Sequence, residues 1–510
     1  TYTGPTTVGV GKLKVNGSVT SDVTVGSAGI LGGSGTIGGD VVVQSGGIVG
    51  PGNSPGTLHV VGDFTFATGS IYQAEVLPTG EHDLIDVTGV TTIQNGATVQ
   101  VLAGGPTAQY QRLSQYGIVQ SAGGIVGTFS GVTSNLAFLT PTLTYTANAV
   151  RLNLLRNDIR FASFAVTGNQ FRTAQAAEAQ GAGSGVFDAL ITQSATGSVQ
   201  GYDALDGQIH ADVSTLLVSD AGRLRDAVQN RASAPSDAVG GWGDVLAGWN
   251  SLDAGAGAAG VKTKSSGLVV GGDTVVGSTR LGVAAAYNDG RATTIARGSQ
   301  ADSTSGQVAV YAASAFGPLK ASVGGGYAWS SIDAERVVLF PGAQDRVVGK
   351  YDATVGQIFG EVSAPLAVGR ATLEPFVTGS YLRVKSDDFN ETGGFSALKV
   401  EGVARELGLV DIGVKARGTV DVGSTTVLRP RGAIAWRMTT GDLAGQTANA
   451  FNGGAGFRVN GAKYDAGALV VQFGVDLASG DRVRFGVTYD GTYGDRYEAQ
   501  AVRAGGAWRF

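Results

Sequence analysis

The sequence contains no cysteine, so it can hold neither a disulfide framework nor a thiolate metal site. Only three histidines occur, His59, His82 and His210, and they are too scattered for the usual ligand spacings of a metal site. No run reaches about 18 consecutive apolar residues, which excludes a membrane-spanning helix. The net charge is −5 and the basic residues are dispersed, so there is no footprint for nucleic acid. We therefore expect no metal, no cofactor and no nucleic-acid partner.

Glycine, by contrast, is abundant. There are 83 glycines in 510 residues, about twice the usual ~7 % share, and they follow no Gly-X-Y period. Helix interiors tolerate glycine poorly, whereas strands at tight corners use it well. A chain of this length is also too long for one ordinary core. These features predict a predominantly all-β protein of at least two modules.

An internal repeat opens the chain. Residues 22–32 match residues 40–50 at an offset of 18, with seven of eleven positions identical. A fixed period of this size, built from two short strands and glycine corners, is typical of a β-solenoid. A β-sandwich of short strands is the alternative, but it does not explain the repeat. We place the solenoid at residues 1–165.

The composition changes to helix-forming residues at 166–235. Apolar residues recur at mostly helical spacing from about Tyr202 to Arg231, and the pattern stops before Pro235. We predict one helix over this range. It carries several charged side chains, among which we single out Asp212, Asp220, Arg223 and Asp226.

Strands return at 236–510, now long and cleanly alternating. Twelve such segments can be counted, and in each one face is apolar while the other carries charge, glycine or alanine. A dry core would not accept these polar faces so often, whereas the lumen of a transmembrane barrel would. A soluble pair of β-sandwiches is the alternative. The arginines expected to line the pore are Arg429, Arg431, Arg437, Arg482, Arg484, Arg503 and Arg509.

The last strand ends in aromatic residues on its apolar face. Val502, Ala504, Gly506, Trp508 and Phe510 share one side. Such aromatics suit a lipid-facing strand whose end lies at the membrane interface. A C-terminal strand that finishes on Phe resembles the signal read by the outer-membrane barrel-assembly machinery, so we assign that signal to Trp508 and Phe510.

These three regions, in this order, resemble the C-terminal part of a monomeric autotransporter of type V secretion. The resemblance rests on their order along the chain, on passenger-end motifs such as Gly50-Pro-Gly-Asn-Ser-Pro-Gly56 and on the helix exit at residues 223–228. It implies a right-handed parallel β-helix with an autochaperone region, a pore helix and a 12-stranded antiparallel transmembrane barrel. The implied domains are 1–165, 166–235 and 236–510.

The resemblance also implies a function. The barrel would sit in the Gram-negative outer membrane as a monomer, assisted by periplasmic chaperones and the barrel-assembly machinery. It would export its own N-terminal passenger and anchor it at the cell surface. No signal peptide opens the chain, so an exported protein would be a longer one of which this is the C-terminal fragment. The passenger's ligand stays unknown, and its repetitive solenoid favours an adhesin-like role. The alternatives are an exported surface protease or esterase whose catalytic part lies upstream, and a porin-like channel.

The sequence gives little evidence of a catalytic site in this chain. Ser54 lies in a Gly-x-Ser-x-Gly sequence, but Pro55 cannot supply the backbone N–H that an oxyanion hole needs. We therefore expect no enzyme within this fragment. Some autotransporters release the passenger by cyclisation at paired asparagines in the pore. This chain has only a lone Asn230 there, which departs from that pattern and is the candidate cleavage position. Asp220 and Asp226 are the alternative residues for another cut, although acids on a pore helix also suit pairing with lumen arginines.

The acidic residues of the predicted helix suggest how it would be held. A helix with this many carboxylates is costly near hydrocarbon, and the inward barrel faces carry arginines. We expect the helix inside the lumen, with its aspartates paired to the pore-lining arginines.

Overall fold

The structure is a computed structural model that describes residues 4–77, 79–103, 113–234, 240–422, 426–479 and 483–508. The predictions on Arg482, Arg509 and Phe510 lie outside the described residues. The chain divides into two compact units, which we describe separately. The first comprises Thr1–Ala165, Ala177–Tyr202 and Leu339–Gln344, and the second Val166–Ala176, Asp203–Val338 and Asp345–Phe510.

The first unit is built from short parallel strands that stack in successive rungs. Val23 is aligned with Val41, Val41 with Phe64 and Phe64 with Thr91, so successive rungs take 18, 23 and 27 residues. The 18-residue repeat is therefore the spacing of the first rungs, and the predicted solenoid of parallel strands is confirmed. Its strands are β1 Thr6–Lys14, β2 Ser18–Val19, β3 Val23–Gly33, β4 Thr36–Ile37, β5 Val41–Val43, β6 Ile48–Pro51, β7 Thr57–Val60, β8 Phe64–Phe66, β9 Ile71–Val76, β10 Leu84–Val87, β11 Thr91–Ile93, β12 Thr98–Ala103, β13 Leu113–Ser121, β14 Ile125–Gly127, β15 Gly131–Ser134, β16 Leu139–Tyr145 and β17 Ala149–Arg156.

Columns of identical or similar side chains hold the rungs together. Val25, Val43, Phe66 and Ile93 are aligned in register and almost fully buried. A second column runs along one corner, where the Oδ1 atom of Asp40 accepts a hydrogen bond of 2.8 Å from the backbone N–H one rung later. Each rung supplies apolar contacts and hydrogen bonds to the next one, so a rung is stable only when it is stacked on its neighbour. At the far end β17 pairs antiparallel with both β13 and β16, which ends the parallel stack.

In the part of the chain that the structure describes, four α-helices and one short 3-10 helix follow the solenoid. The single helix predicted from about Tyr202 to Arg231 is in fact two, because the chain breaks at Gly207, whose φ is +73°. Within the described residues no helix is both long and apolar enough to cross a bilayer. The bounds are Phe161–Phe164 for the 3-10 helix, α1 Gly168–Gln180, α2 Gly185–Ile191, α3 Ala195–Leu205 and α4 Ile209–Ala232.

The second unit contains a closed barrel of twelve antiparallel strands. The ring runs β18-β19-β20-β21-β22-β23-β25-β29-β31-β34-β35-β36, and β36 pairs with β18 to close it. All twelve predicted segments are confirmed as strands of the ring. The ring strands are β18 Gly240–Leu252, β19 Val261–Val276, β20 Thr279–Thr294, β21 Ser299–Phe316, β22 Leu319–Phe340, β23 Ala343–Ser363, β25 Ala371–Ser386, β29 Ala404–Gly418, β31 Thr426–Gly441, β34 Gly467–Ser479, β35 Val483–Tyr493 and β36 Tyr497–Trp508.

The connections between barrel strands differ at the two ends. At one end lie short turns such as 277–278 and 317–318, and at the other lie the longest connections, 387–403 and 442–466. Outer-membrane barrels keep their short turns on the periplasmic side. The short strands among the connections are β24 Leu366–Val368, β26 Phe389–Asn390, β27 Thr392–Gly393, β28 Leu398–Glu401, β30 Val420–Asp421, β32 Ala444–Phe451 and β33 Phe457–Lys463.

Asp83 makes the solenoid sensitive to pH. Its carboxylate accepts hydrogen bonds from the backbone N–H groups of Gly56 and Glu75, both 2.9 Å, yet burial raises its pKa to about 6. A carboxyl whose pKa is raised in the folded state stabilises the fold at low pH, and this contribution is lost as the pH rises through about 6. We predict that amides of residues 71–87 are protected by about 1–3 kcal/mol more at pH 4.5 than at pH 7.5. Hydrogen exchange of the full chain, corrected for intrinsic rates, measures this, and equal pH dependence in Asp83→Asn would contradict it.

Candidate functional site: the barrel lumen and its helix

Helix α4 lies inside the barrel. Of its 24 residues, 20 are buried, including every residue from Ile209 to Val218. Leu216 and Val213 belong to one apolar cluster with the wall residues Ile332 and Leu382. A second cluster joins Leu224 and Val228 to wall side chains that include Trp242. The helix therefore fills the lumen by close packing, as well as by polar contacts.

Small residues on the barrel strands and in the connection 442–466 make room for the helix. A Cβ atom at Gly290 would lie 2.9 Å from Leu216, and one at Gly461 would lie 2.6 Å from the carboxylate of Asp212. Both distances are shorter than ordinary Cβ contacts, so a side chain at either position would force a neighbouring group to shift. The glycines and alanines on the inward strand faces therefore leave the space that the helix occupies.

The polar groups of α4 make hydrogen bonds to the barrel strands and to the connection 442–466. Asp212 accepts hydrogen bonds of 2.8 Å from the backbone N–H of Ala462 and from the hydroxyl of Thr294. The Nε2 of Gln357 donates 2.9 Å to the carbonyl oxygen of Ala221, inside the helix. Arg405, fully buried, donates 3.0 Å to the Oγ of Ser214. These contacts fix both the rotation and the depth of the helix.

The expected pairing of helix aspartates with pore arginines is wrong. Asp220 instead pairs with Arg223 of the same helix and accepts 2.6 Å from Ser265 of the wall. Asp203 and Asp206, which precede α4, contact Arg297 in the connection between β20 and β21, an arginine that was not predicted. Within α4 the sign is reversed, because Arg231 pairs with Asp273, which also accepts from Arg280 at 2.8 Å. The rule that a buried charge needs a partner holds. The sequence could not show which partner is near.

The pore arginines find their partners on the barrel wall. Arg437 forms a bidentate pair with Asp411, with both contacts at 2.8 Å. Arg503 pairs with Asp490 at 3.0 Å, and Arg431 lies 3.2 Å from Asp476. Partners on nearby strands are held in place by the sheet, so pairing costs little entropy. Of the remaining predicted arginines, Arg429 and Arg484 line a cavity beside the end of α4.

A buried network near the start of α4 ties it to the connection 387–403. The Nε2 of His210 and the Oε1 of Glu391 are 2.7 Å apart, and Arg336 donates to both carboxylate oxygens of Glu391, each at 2.7 Å. All three side chains are about 1 % exposed. Burial alone would raise the pKa of Glu391, but Arg336 and His210 outweigh it and hold the pKa below its usual range. Sequence reasoning missed this network because its members are distant in the chain.

The remaining predicted helix residues lie at its C-terminal half. Asp226 is partly exposed and contacts Arg225. The side-chain Nδ2 of Asn230 donates 2.8 Å to the carbonyl oxygen of Asp226, one turn earlier. Cyclisation would require that nitrogen to approach the carbonyl carbon of Asn230 itself. In this conformation the nitrogen is hydrogen-bonded to Asp226 and not placed against that carbon. The cleavage role of Asn230 stays a prediction.

The outer face of the barrel is apolar. Ile434 and Trp436 on β31 are each more than half exposed, as are Phe473 on β34 and Val310 on β21. Trp508, at the end of the last described strand, is 46 % exposed on the same outward face. Bands of exposed apolar side chains on a closed barrel are lipid-facing surfaces.

Residues 241–490 match the family model described as "Autotransporter beta-domain". The barrel is an autotransporter β-domain. As such it is a translocator domain and lies in the outer membrane. The predicted family and localisation of the barrel are therefore confirmed.

The full length of this chain is similar to part of two curated relatives. Both are described as "Extracellular serine protease" from Serratia marcescens, with 29 % and 26 % identity over 573 aligned positions. The alignments cover all of this chain and 54 % of each relative, so the chain spans about half the length of the curated relatives it matches.

Solved structures of translocators are also similar. The translocator domain of autotransporter NalP from Neisseria meningitidis is 16 % identical, with a TM-score of 0.46 over 60 % of this chain and all of that one. The β-domain of the Bordetella autotransporter BrkA is 14 % identical, with a TM-score of 0.40 over 54 % of this chain and all of that one.

The Glu391 network gives a stability prediction. Replacing Glu391 by Gln leaves the Arg336 guanidinium buried without its counter-charge, which should reduce the free energy of unfolding by about 3–5 kcal/mol. The matched control is Asp333→Asn, which breaks the exposed Lys350–Asp333 pair at 2.8 Å and should cost about 0–1 kcal/mol. Urea unfolding in detergent micelles measures both variants. Equal losses in the two variants would show that the network does not hold the barrel.

Proposed function

We propose that this chain is the export and anchoring end of a longer autotransporter. The barrel delivers an N-terminal passenger across the outer membrane, and α4 then occupies the lumen while the passenger stays outside. The observation that carries this proposal is the burial of α4 along the inside of a closed barrel, with its C-terminal end leading into β18. A chain that had passed outward through the lumen would leave such a segment behind it.

The buried helix also speaks against a porin-like channel. A passive channel needs water along the whole lumen, whereas Leu216, Leu224 and Val228 of α4 pack against the wall with almost no exposure. The barrel as described is therefore better suited to hold a spanning segment than to pass solutes.

The exported passenger is proposed to be an extracellular serine protease. The curated relatives carry that description and extend beyond the part that this chain matches. This supports the alternative of an exported enzyme over an adhesin-like passenger. We place the catalytic residues outside residues 1–510. Ser54 donates 2.7 Å to Glu75, and Pro55 after it has no backbone N–H for an oxyanion hole, which argues against Ser54 as the nucleophile.

We further propose that Trp508 and Phe510 form the signal read by the barrel-assembly machinery, with periplasmic chaperones as earlier partners and a monomeric final state. The supporting observation is the outward position of Trp508 on the last strand, next to the β36–β18 closure. The solenoid would serve as the autochaperone region, because each stacked rung offers a template to the next.

The helix position is testable by disulfide formation, because the chain has no native cysteine. Ser219 of α4 accepts a hydrogen bond of 2.5 Å from the side-chain Nδ2 of Asn250 on β18, so the two side chains are close enough to be joined. We predict that Ser219→Cys/Asn250→Cys forms a disulfide in outer membranes under mild oxidation, seen as a mobility shift on non-reducing gels. The control Ser219→Cys/Val310→Cys, with Val310 facing lipid, should remain reduced. Cross-linking in the control alone would place the helix elsewhere.

The assembly signal predicts a specific effect of the last residue. Phe510→Ala should lower the amount of heat-modifiable barrel in the outer membrane several-fold, because recognition depends on a terminal aromatic. Phe473→Ala removes a lipid-exposed aromatic from β34 and should leave the amount nearly unchanged. Quantitative immunoblots of membrane fractions measure both. The idea fails if the two variants assemble equally well.

The protease proposal predicts where a serine-directed reagent reacts. A fluorophosphonate probe should label the exported part of the full-length protein outside residues 1–510, and Ser54→Ala should not reduce the labelling. Mass spectrometry of the labelled peptide locates the site. Loss of labelling in Ser54→Ala would move the nucleophile into the solenoid, and no labelling of the wild type would favour an adhesin-like passenger.

A further inference from the structure

A cavity of about 420 Å³ lies beside the C-terminal end of α4, at the short-turn end of the lumen. Seven arginines and two aspartates line it, which leaves an excess of five positive charges. Five of the arginines project from barrel strands: Arg417, Arg429, Arg431, Arg484 and Arg503. Arg231 comes from α4 and Arg370 from the connection before β25.

Neighbouring carboxylates neutralise only part of this charge. Within the cavity the acidic residues are Asp244 and Asp476, and the latter lies 3.2 Å from Arg431. Three more of the arginines have carboxylate partners just outside the cavity: Arg231 with Asp273, Arg503 with Asp490, and Arg370 with Asp421. Seven arginines against these five aspartates leave an excess of two positive charges. Arg417 donates 2.8 Å to the backbone carbonyl oxygen of Ser233, a neutral partner. The Nε of Arg431 is buried and makes no hydrogen bond among the described residues. Like charges held this close repel one another unless an anion lies between them.

We propose that this cavity binds a multiply charged oxyanion of the phosphate type. Guanidinium groups offer planar pairs of N–H donors that match phosphate oxygens, and such charge-assisted hydrogen bonds are the stronger class. Here they converge on one space from four strands of the same part of the ring, β29, β31, β35 and β36, and from α4. The anion is either a free phosphate compound or the phosphate of a membrane lipid at the barrel mouth.

Binding would strengthen the hold on the helix. Arg231 and Asn230 of α4 share the cavity with the wall arginines, so an anion there bridges the helix end to the wall. A ligand that binds the plugged state alone shifts the equilibrium toward that state by mass action. This inference concerns the folded barrel and does not depend on which passenger is exported.

The test uses the full chain in a phosphate-free, non-ionic detergent, with inorganic pyrophosphate as the probe and sodium chloride adjusted to constant ionic strength. Isothermal titration calorimetry gives the affinity, and the temperature of barrel unfolding gives the linked stability. We expect saturable binding and a higher unfolding temperature. Arg429→Gln/Arg484→Gln should weaken binding at least tenfold. The control Arg291→Gln removes one positive charge from an exposed pair with Asp302, outside the cavity, and should bind as the wild type does.

The outcomes separate the sources of the phosphate group. If pyrophosphate does not bind but phosphatidylglycerol added to the micelles raises the unfolding temperature, and the double variant abolishes this, the ligand is a lipid headgroup. The side chain of Arg370 is 89 % exposed, so its replacement should not disturb folding. If the double variant does not fold, Arg370→Gln tests the cavity instead. The proposal is overturned if neither phosphate source binds, or if Arg291→Gln weakens binding as much as the cavity variants do.

Discussion

Backbone amide and carbonyl groups inside a bilayer have no water to bond, so each must be paired within the protein. The antiparallel ring meets this constraint by pairing β36 with β18 from Trp508 back to Tyr497, which leaves no open edge in the ring. Closure then creates a lumen lined by every second residue of each strand. The outward residues are free to be apolar, and the inward ones must suit whatever occupies the space.

In this barrel the occupant is part of the same chain. Helix α4 supplies apolar side chains in two clusters and polar side chains between them. The wall contributes small residues, side-chain amides and hydroxyl groups that contact the helix. Few charged contacts join α4 to the wall, and the wall arginines pair instead with aspartates on nearby strands, as Arg437 does with Asp411. Because buried charges are costly to leave unpaired, the arrangement holds the helix in one position more by shape and hydrogen bonds than by attraction between opposite charges.

Much of this fold could be predicted from the sequence. The alternation of apolar and polar residues predicted all twelve strands of the ring, because one face of each strand contacts lipid and the other faces the lumen. The 18-residue repeat predicted the stacking of the first rungs. The partners of charged side chains were not predictable. Asp212 meets Thr294 and Ala462, and Arg336 meets Glu391, across separations that only the closed barrel brings together. The break at Gly207 was also missed, because helical spacing continues on both sides of it.

The central claim is that α4 closes a pore that the barrel would otherwise leave open. Single-channel conductance in planar bilayers tests it most directly, by comparing the full chain with a variant that lacks residues 209–232 at equal amounts of folded barrel. The account predicts small or no conductance for the full chain and a large, stable conductance for the deletion variant. Large, steady currents through the full chain, unchanged by the deletion, would contradict it.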